Sequence, residues 1–343
     1  MARQDDVATI VRDPAWFPYR YDAQHDTIHY IRAERETQRA AAFLRDEYLP
    51  GHSQPVPLGR EEVMAASAEP APVHFVFHSA YCCSTLIARA FDAPGHAMGL
   101  KEPLILNDLV GWNHRGAPRD KVAMLIDQSL RLLGRPYGPG EAVVIKPSNI
   151  VNGLIPAMLK LRPQSRALLL YAPLDRYLPS IAKKSLQGRL WVRTLLIALI
   201  KEGRIDLGFR PDQYLDLSDL QVAAIGWIAQ HAQFQRLVEQ FGDRVATLNS
   251  EALLALPGPS MTKLDALFGT KISAADIDAI VKGPAFGENS KTFTSYSTTD
   301  RDAEKAKAES AYADELEWVT GWAHEVAKRN AIPMDLPGAL LER

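Results

Sequence analysis

The chain has 343 residues, 47% of them hydrophobic, and sets 39 lysines and arginines against 41 aspartates and glutamates for a formal net charge of -2. That length and apolar content allow a large buried core, in one α/β domain or in two smaller ones, while the balanced charge argues against a nucleic-acid partner. The only cysteines are the neighbours Cys82 and Cys83, which cannot build an ordinary disulfide framework. Residues 1–6 lack an apolar signal core, and the greasiest stretch, 191–200, is too short to span a bilayer and contains Arg193. A cytoplasmic protein with no membrane span is expected.

Residues 1–70 read as an extension packed on the core: aromatic and turn-rich at 14–19, a short strand at 26–31, an amphipathic helix at 34–48 with Phe43 and Leu44 inward, and a loop at 50–57. The stiff stretch Ser67-Ala68-Glu69-Pro70-Ala71-Pro72 leads into the main domain, residues 71–343, whose C-terminal part is helical. Apolar strands are expected at 73–77, 97–100, 142–145, 167–171 and 244–248, the third with the unbroken character of a strand buried on both faces. Helices are expected at 121–133, closed by Gly134, and at 150–161 and 191–202, with a cation-rich turn and helix at 173–189. Ser218 caps a long helix at 219–241 that Gly242 stops. Short helices follow at 260–268 and 274–281, then a polar loop at 285–299 and a charged helix at 300–330 whose Trp318 and Trp322 share a face. The repeated order of strand, polar turn and helix predicts an α/β fold: a mostly parallel central sheet with helices on both faces.

Ligands in such sheets bind at the carboxyl ends of the strands. One polar cluster there is Tyr81-Cys82-Cys83-Ser84-Thr85, followed by Leu86, Ile87 and Ala90 at helical spacing. A strand, tight loop and helix bring backbone N–H groups and the positive end of a helix to one point, which suits a phosphate or another dense anion. Ser84 and Thr85 add hydroxyl donors. As a nucleotide-binding motif the loop is incomplete: of G-x-x-x-x-G-K-[ST] only Thr85 fits, with His78, Cys83 and Ser84 where two glycines and a lysine would stand. An ordinary strand-to-helix turn capped by Ser84 fits the same residues.

Glu102 follows a short apolar strand and precedes a proline, so it is either a carboxylate fixed to act as a general base or an exposed glutamate paired with Lys101. Lys146 ends another apolar strand, to stabilise charge on a transferring group or to snorkel to solvent. Arg176 and Ser180, four apart on one helical face with Lys183 and Lys184 beyond, suit a second phosphate or a solvated basic face. Ser290 and Lys291 lie in a loop too long for a mere connection, able to close over anions or simply disordered. No Cys/His grouping has zinc spacing, and Ser84 and Ser148 lack the glycine-flanked serine elbow, so neither a metal site nor a hydrolase triad is indicated.

Together these segments resemble the sulfotransferases with a P-loop-like fold that use 3′-phosphoadenosine 5′-phosphosulfate, closest to the branch of protein-tyrosine sulfotransferases and bacterial relatives. That branch shows a strand, then [RK]-S-G-[ST]-[ST]-L, then a glutamate about twenty residues on. Here Tyr81-Cys82-Cys83-Ser84-Thr85-Leu86-Ile87 occupies the loop and Glu102 stands in the glutamate's place. Val143-Val144-Ile145-Lys146-Pro147 looks like the family's strand ending in lysine and proline, residues 168–180 like its next strand and helix, and Ser290-Lys291 like a late Ser-Lys pair. The resemblance implies sulfuryl transfer to a hydroxyl acceptor, a small molecule or a peptide, with Glu102 as base and Lys146 neutralising the leaving group. It implies Tyr81, Cys82, Cys83, Ser84 and Thr85 around the 5′-phosphosulfate, Arg176, Ser180, Ser290 and Lys291 at the 3′-phosphate, and no metal. The chain departs from the family where Tyr81 replaces the basic loop residue, Cys83 the glycine, and Ala172 the arginine eight residues before Ser180. A phosphotransferase using ATP or GTP, or a nucleotide-binding protein of the same fold without turnover, stays open beside it.

Overall fold

The computed structural model describes residues 6–49, 54–289, 293–294 and 310–341. Near the N-terminus, β1 (Trp16–Asp22), β2 (Thr27–Arg32) and β3 (Val56–Gly59) form an antiparallel sheet in the order β1-β2-β3. The aromatic stretch expected to be turn-rich is therefore largely strand. Trp16, Phe17 and Tyr19, with Ile28, Tyr30 and Ile31 from β2, are buried in a cluster that includes residues of the main sheet.

The main sheet contains β4 (Val73–His78), β5 (Ala97–Lys101), β6 (Ala142–Lys146), β7 (Ala167–Tyr171) and β8 (Val245–Asn249), in the order β5-β6-β4-β7-β8 with every pairing parallel. Side chains alternate across a strand, so both faces of so apolar a sheet need cover. On one side Phe75, Phe77, Leu100, Val143, Ile145 and Leu169 meet the helices Leu104–His114, Arg119–Leu133 and Ile155–Leu161. On the other, Val76, Val144, Leu168 and Leu170 meet Ser84–Ala90, Leu174–Ala182, Asp219–Phe241 and Ala313–Arg329. This is the α/β architecture with helices on both faces that the sequence predicts. The long helix has the expected cap: the Ser218 side chain accepts from the Gln221 N–H, and the Gln221 side chain accepts from the Ser218 N–H.

Other local expectations give way as well, the helix expected at 150–161 among them, which is a 3-10 helix over Asn149–Leu154 before the α-helix Ile155–Leu161. The helix expected at 34–48 is confined to Arg35–Ala40, with a 3-10 turn at Asp46–Tyr48. Between them the Leu44 N–H donates to the Lys101 carbonyl at 2.8 Å, tying the chain to the edge strand β5. Tertiary pairing thus overrides local helical preference. The expected helices at 173–189 and 191–202 divide differently, as Leu174–Ala182 and Ser185–Lys201. In Ala313–Arg329 the buried face is Leu316, Val319, Ala323, Val326 and Ala327, which leaves Trp318 at 61% exposure while Trp322 packs against the core. Finally, Ser84 is the first helical residue and Cys83 holds the cap position, so the turn is not capped by Ser84.

Candidate functional site

The connection leaving β4 runs toward β5 and the one leaving β7 runs toward β8, so the loops diverge at the carboxyl ends of the central strands. That divergence is where open α/β sheets bind ligands. A cavity of about 400 Å³ lies there, lined by Ala80 to Leu86, Glu102, Lys146, Ser148, Asn149, Ser180, Lys183, Lys184 and Trp191. It brings the 82–85 loop, Glu102, Lys146 and Ser180 onto one surface.

The loop is held by its flanks. The His78 ring nitrogen Nδ1 accepts the Ala80 N–H at 3.0 Å, and Nε2 lies 3.1 Å from the Pro147 carbonyl. These partners assign the neutral tautomer with the proton on Nε2. The Asn152 side chain donates to the His78 carbonyl at 3.0 Å and to the Gln230 side chain at 3.2 Å. The buried Cys82 thiol donates to the Leu170 carbonyl; burial, followed by the neighbouring Cys83, pushes its pKa up to about 12, so it serves as structure and not as a nucleophile. Ala80, Tyr81, Cys83 and Glu102 take positive φ angles of 72°, 52°, 64° and 55°. A side chain there costs about 1–2 kcal/mol relative to glycine, and such strain collects at functional sites. Cys83 takes a left-handed backbone of the kind that glycine adopts without strain.

Register brings the charged residues together. Lys101 pairs with Lys146 across β5 and β6, and the Glu102 N–H donates to the Lys146 carbonyl at 2.7 Å. Glu102 therefore sits one step beyond the paired lysines, with Lys146 Nζ donating to its Oε1. Arg45, from the N-terminal extension, donates to Oε2. The Phe43 ring packs against both cations, 5.2 Å from Lys146 Nζ and 5.4 Å from the Arg45 guanidinium carbon. Burial alone would raise the Glu102 pKa, but Lys146 and Arg45 outweigh it and hold the carboxyl well below the ordinary range. Neither bland alternative holds: Glu102 is buried, Lys146 is 1% exposed, and Lys101 turns away to donate to the Arg39 carbonyl at 2.8 Å. The lining carries four cations, Arg45, Lys146, Lys183 and Lys184, against the carboxylates Glu102 and Glu288, a balance that favours an anionic ligand.

Other positions lie elsewhere. Arg176 is outside the lining and forms an ion pair with Glu251 at 2.9 Å, while the Ser180 hydroxyl donates to the Arg176 carbonyl at 2.8 Å. Ala172 is fully buried, and its carbonyl accepts the Trp227 indole N–H at 2.8 Å. Tyr81 turns its ring edge-on to Tyr177 and Trp191, so an aromatic cluster occupies the place of a basic loop residue. Ser290 and Lys291 fall outside the described residues; Glu288 and Asn289, just before them, reach the cavity, and Glu288 pairs with Arg89 at 2.7 Å. Sequence reasoning misses Phe43, Arg45 and Trp191 as lining residues.

No family model matches the chain, and no curated protein matches it. Among solved structures, it is similar to the sulfotransferase domain of the olefin synthase of Synechococcus PCC 7002, at 12% identity and a TM-score of 0.42 over 71% of this chain and 95% of that one. The sulfotransferase domain of the curacin biosynthetic pathway gives 12% identity and 0.41 over 79% and 100%, and sulfotransferase STF9 from Mycobacterium avium 11% and 0.40 over 73% and 79%.

Proposed function

We propose that the cavity binds 3′-phosphoadenosine 5′-phosphosulfate and that the protein transfers its sulfuryl group to a hydroxyl acceptor. The observation that carries this reading is the buried Glu102–Lys146 pair, set beside a strand-to-helix loop in a cavity whose charged side chains are mostly cationic. Backbone N–H groups of residues 82–85, with the Ser84 and Thr85 hydroxyls, cradle the 5′-phosphosulfate. The acceptor oxygen attacks sulfur, the bond from sulfur to the phosphate oxygen breaks, and Glu102 takes the hydroxyl proton. Lys146 neutralises the charge left on adenosine 3′,5′-bisphosphate, so the protein supplies mainly position and electrostatics. Ser180, with Lys183 and Lys184, approaches the 3′-phosphate; Arg176 contributes only if it leaves Glu251.

One electrostatic consequence follows. A carboxylate held ionised by two cations is a weak base. When the donor's anionic oxygens draw Lys146 and Arg45 toward themselves, Glu102 loses its partners and gains basicity while still buried. Donor binding thus prepares the base. The same clamp, with Tyr81 and Ala172 where the family has cations, also supports a second reading: a nucleotide-binding protein without turnover.

Calorimetry with adenosine 3′,5′-bisphosphate and with magnesium-ATP, followed by a transfer assay over phenol, sugar and lipid-alcohol acceptors, tests these readings. Preference for the bisphosphate together with turnover supports sulfuryl transfer, and preference for magnesium-ATP sinks it. Binding without turnover supports the second reading. In an active preparation Glu102→Gln should lower kcat by at least about a hundredfold while the donor binds at least as tightly, its competitor for Lys146 and Arg45 being gone. Full rate in that variant would remove Glu102 from the mechanism.

A further inference from the structure

The helix Ser185–Lys201 covers only part of its apolar surface. Its inner side is well packed: Val192, Leu195, Leu196 and Leu199 are buried, and Leu195 and Leu199 meet Ala229. Its outer side carries Leu186, Leu190, Ile197 and Ile200, exposed at 67, 58, 54 and 47%. At 3.6 residues per turn these four fall within a stripe about 80° wide and about 21 Å long. Single exposed leucines are ordinary on any protein. Four along one side of one helix, Leu186 and Leu190 before Arg193 and Ile197 and Ile200 after it, are more than scattered exposure and mark an interaction surface.

The charges that this segment itself carries have one sign. Residues 183–201 contain Lys183, Lys184, Arg189, Arg193 and Lys201 and no aspartate or glutamate. Asp219, on another helix, pairs with Arg189 at 3.6 Å and Arg193 at 2.6 Å, while Lys183 and Lys184 at one end and Lys201 at the other bracket the strip. A two-fold contact between copies would set these cations against their own images, a like-charge cost that disfavours self-association through this face. No helix among the described residues is long and apolar enough to cross a bilayer. An apolar strip bracketed by cations, on a helix too short to span, has the makeup of an interfacial helix.

We propose that this face docks on an anionic lipid surface, with Leu186, Leu190, Ile197 and Ile200 entering the acyl boundary and the flanking cations at headgroup level. Lys183, Lys184 and Trp191 belong to this segment and also line the cavity, so docking sets the cavity mouth beside the headgroups. The proposal stands whether or not the cavity transfers sulfuryl groups.

The full chain is sedimented with vesicles of phosphatidylglycerol in phosphatidylcholine, and with phosphatidylcholine alone, at low and high salt. Binding to the anionic vesicles that weakens with salt is expected. Leu190→Asp/Ile197→Asp should reduce it at least about tenfold, and Met124→Asp, on a different helix, should leave it unchanged. Both aspartates enter exposed positions, so melting temperatures should stay close to that of the wild type; should the double variant melt early, Leu186→Gln/Ile200→Gln gives the same readout. The proposal is overturned if the wild type ignores anionic vesicles, binds phosphatidylcholine equally well, or loses binding equally with Met124→Asp. It is also overturned if light scattering finds a dimer that the aspartates disperse.

Discussion

Replacing Lys146 by methionine removes the ammonium facing Glu102 and keeps an unbranched stem of similar length. Glu102 remains 7% exposed, with Arg45 as its one remaining ion-pair partner among the described residues. Removing one side of a buried pair costs about 3–5 kcal/mol, because the other charge is stranded. The Arg45 side chain is 34% exposed, so solvent screens it and it offsets only part of that cost. The expected loss at neutral pH is therefore about 3 kcal/mol, at the low end of that range. The pH dependence is the sharper check. In the wild type the Glu102 pKa is depressed, so its contribution is complete above the ordinary carboxylate value of about 4.3 and fades as pH falls toward the folded value. In the variant, burial works against one cation fewer and the carboxyl takes up a proton more readily, so the penalty shrinks below about pH 5. Urea unfolding at about pH 7.5 and about pH 4.5 measures both quantities. Lys146→Met/Glu102→Gln should recover part of the loss, since no charge is then stranded. A loss below about 1 kcal/mol near neutrality, or equal losses at both pH values, would refute the reasoning.

Three further outcomes are expected. A methyl group at Gly99 would fall 1.9 Å from the Ala88 carbonyl oxygen, so Gly99→Ala should cost at least about 3 kcal/mol in denaturant unfolding, and an unchanged midpoint would show that β5 and the Ser84–Ala90 helix pack less closely. Cys83→Gly should change stability by less than about 1 kcal/mol, since relieved strain offsets added chain entropy, whereas Cys83→Val should cost about 2 kcal/mol or more at a φ of 64°; equal melting temperatures would rule out the left-handed backbone. Burial, aided at His74 by Arg166, pushes the pKa of His74 down to about 4, and burial pushes that of His231 down to about 3. The stability of these neutral folded imidazoles is complete above the unfolded value of about 6.5 and is lost as pH falls toward the folded values, at up to about 1.4 kcal/mol per pH unit for each ring. Acid titration of the melting temperature should show a decline beginning near pH 6 that His74→Gln flattens; parallel curves would contradict the assignment.

Much of the fold is legible because its signals are local. Five apolar runs between polar turns predict the central sheet, and they form β4 to β8 within about two residues at each end. Ser218 and Gly242 mark the ends of the long helix because a cap uses atoms a few bonds apart. Where a distant partner decides, local pattern fails. Trp318 and Trp322 are four apart on one helix, yet only the core contacts of that helix determine which of them faces inward. The Leu104–His114 helix carries no side-chain cap to announce it after Pro103, and the β1 stretch hides its pairing with β2 behind a proline.

The site divides along the same line. Glu102 and Lys146 are legible as candidates because each ends an apolar strand, and parallel register then turns two positions 44 apart into one ion pair. Arg45 and Phe43 carry no comparable mark. Between Ala40 and Asp46 their spacing is that of a helix continuing outward, and a helix would have sent the two side chains to different sides. What turns both toward Glu102 is the Leu44 N–H bonding to the Lys101 carbonyl at the edge of the sheet. That contact joins two backbone groups, and backbone groups look alike at every residue except proline. Side-chain chemistry at 43–45 therefore says what the extension can offer the cavity, a guanidinium and a ring, while only the strand pairing says that it is offered there.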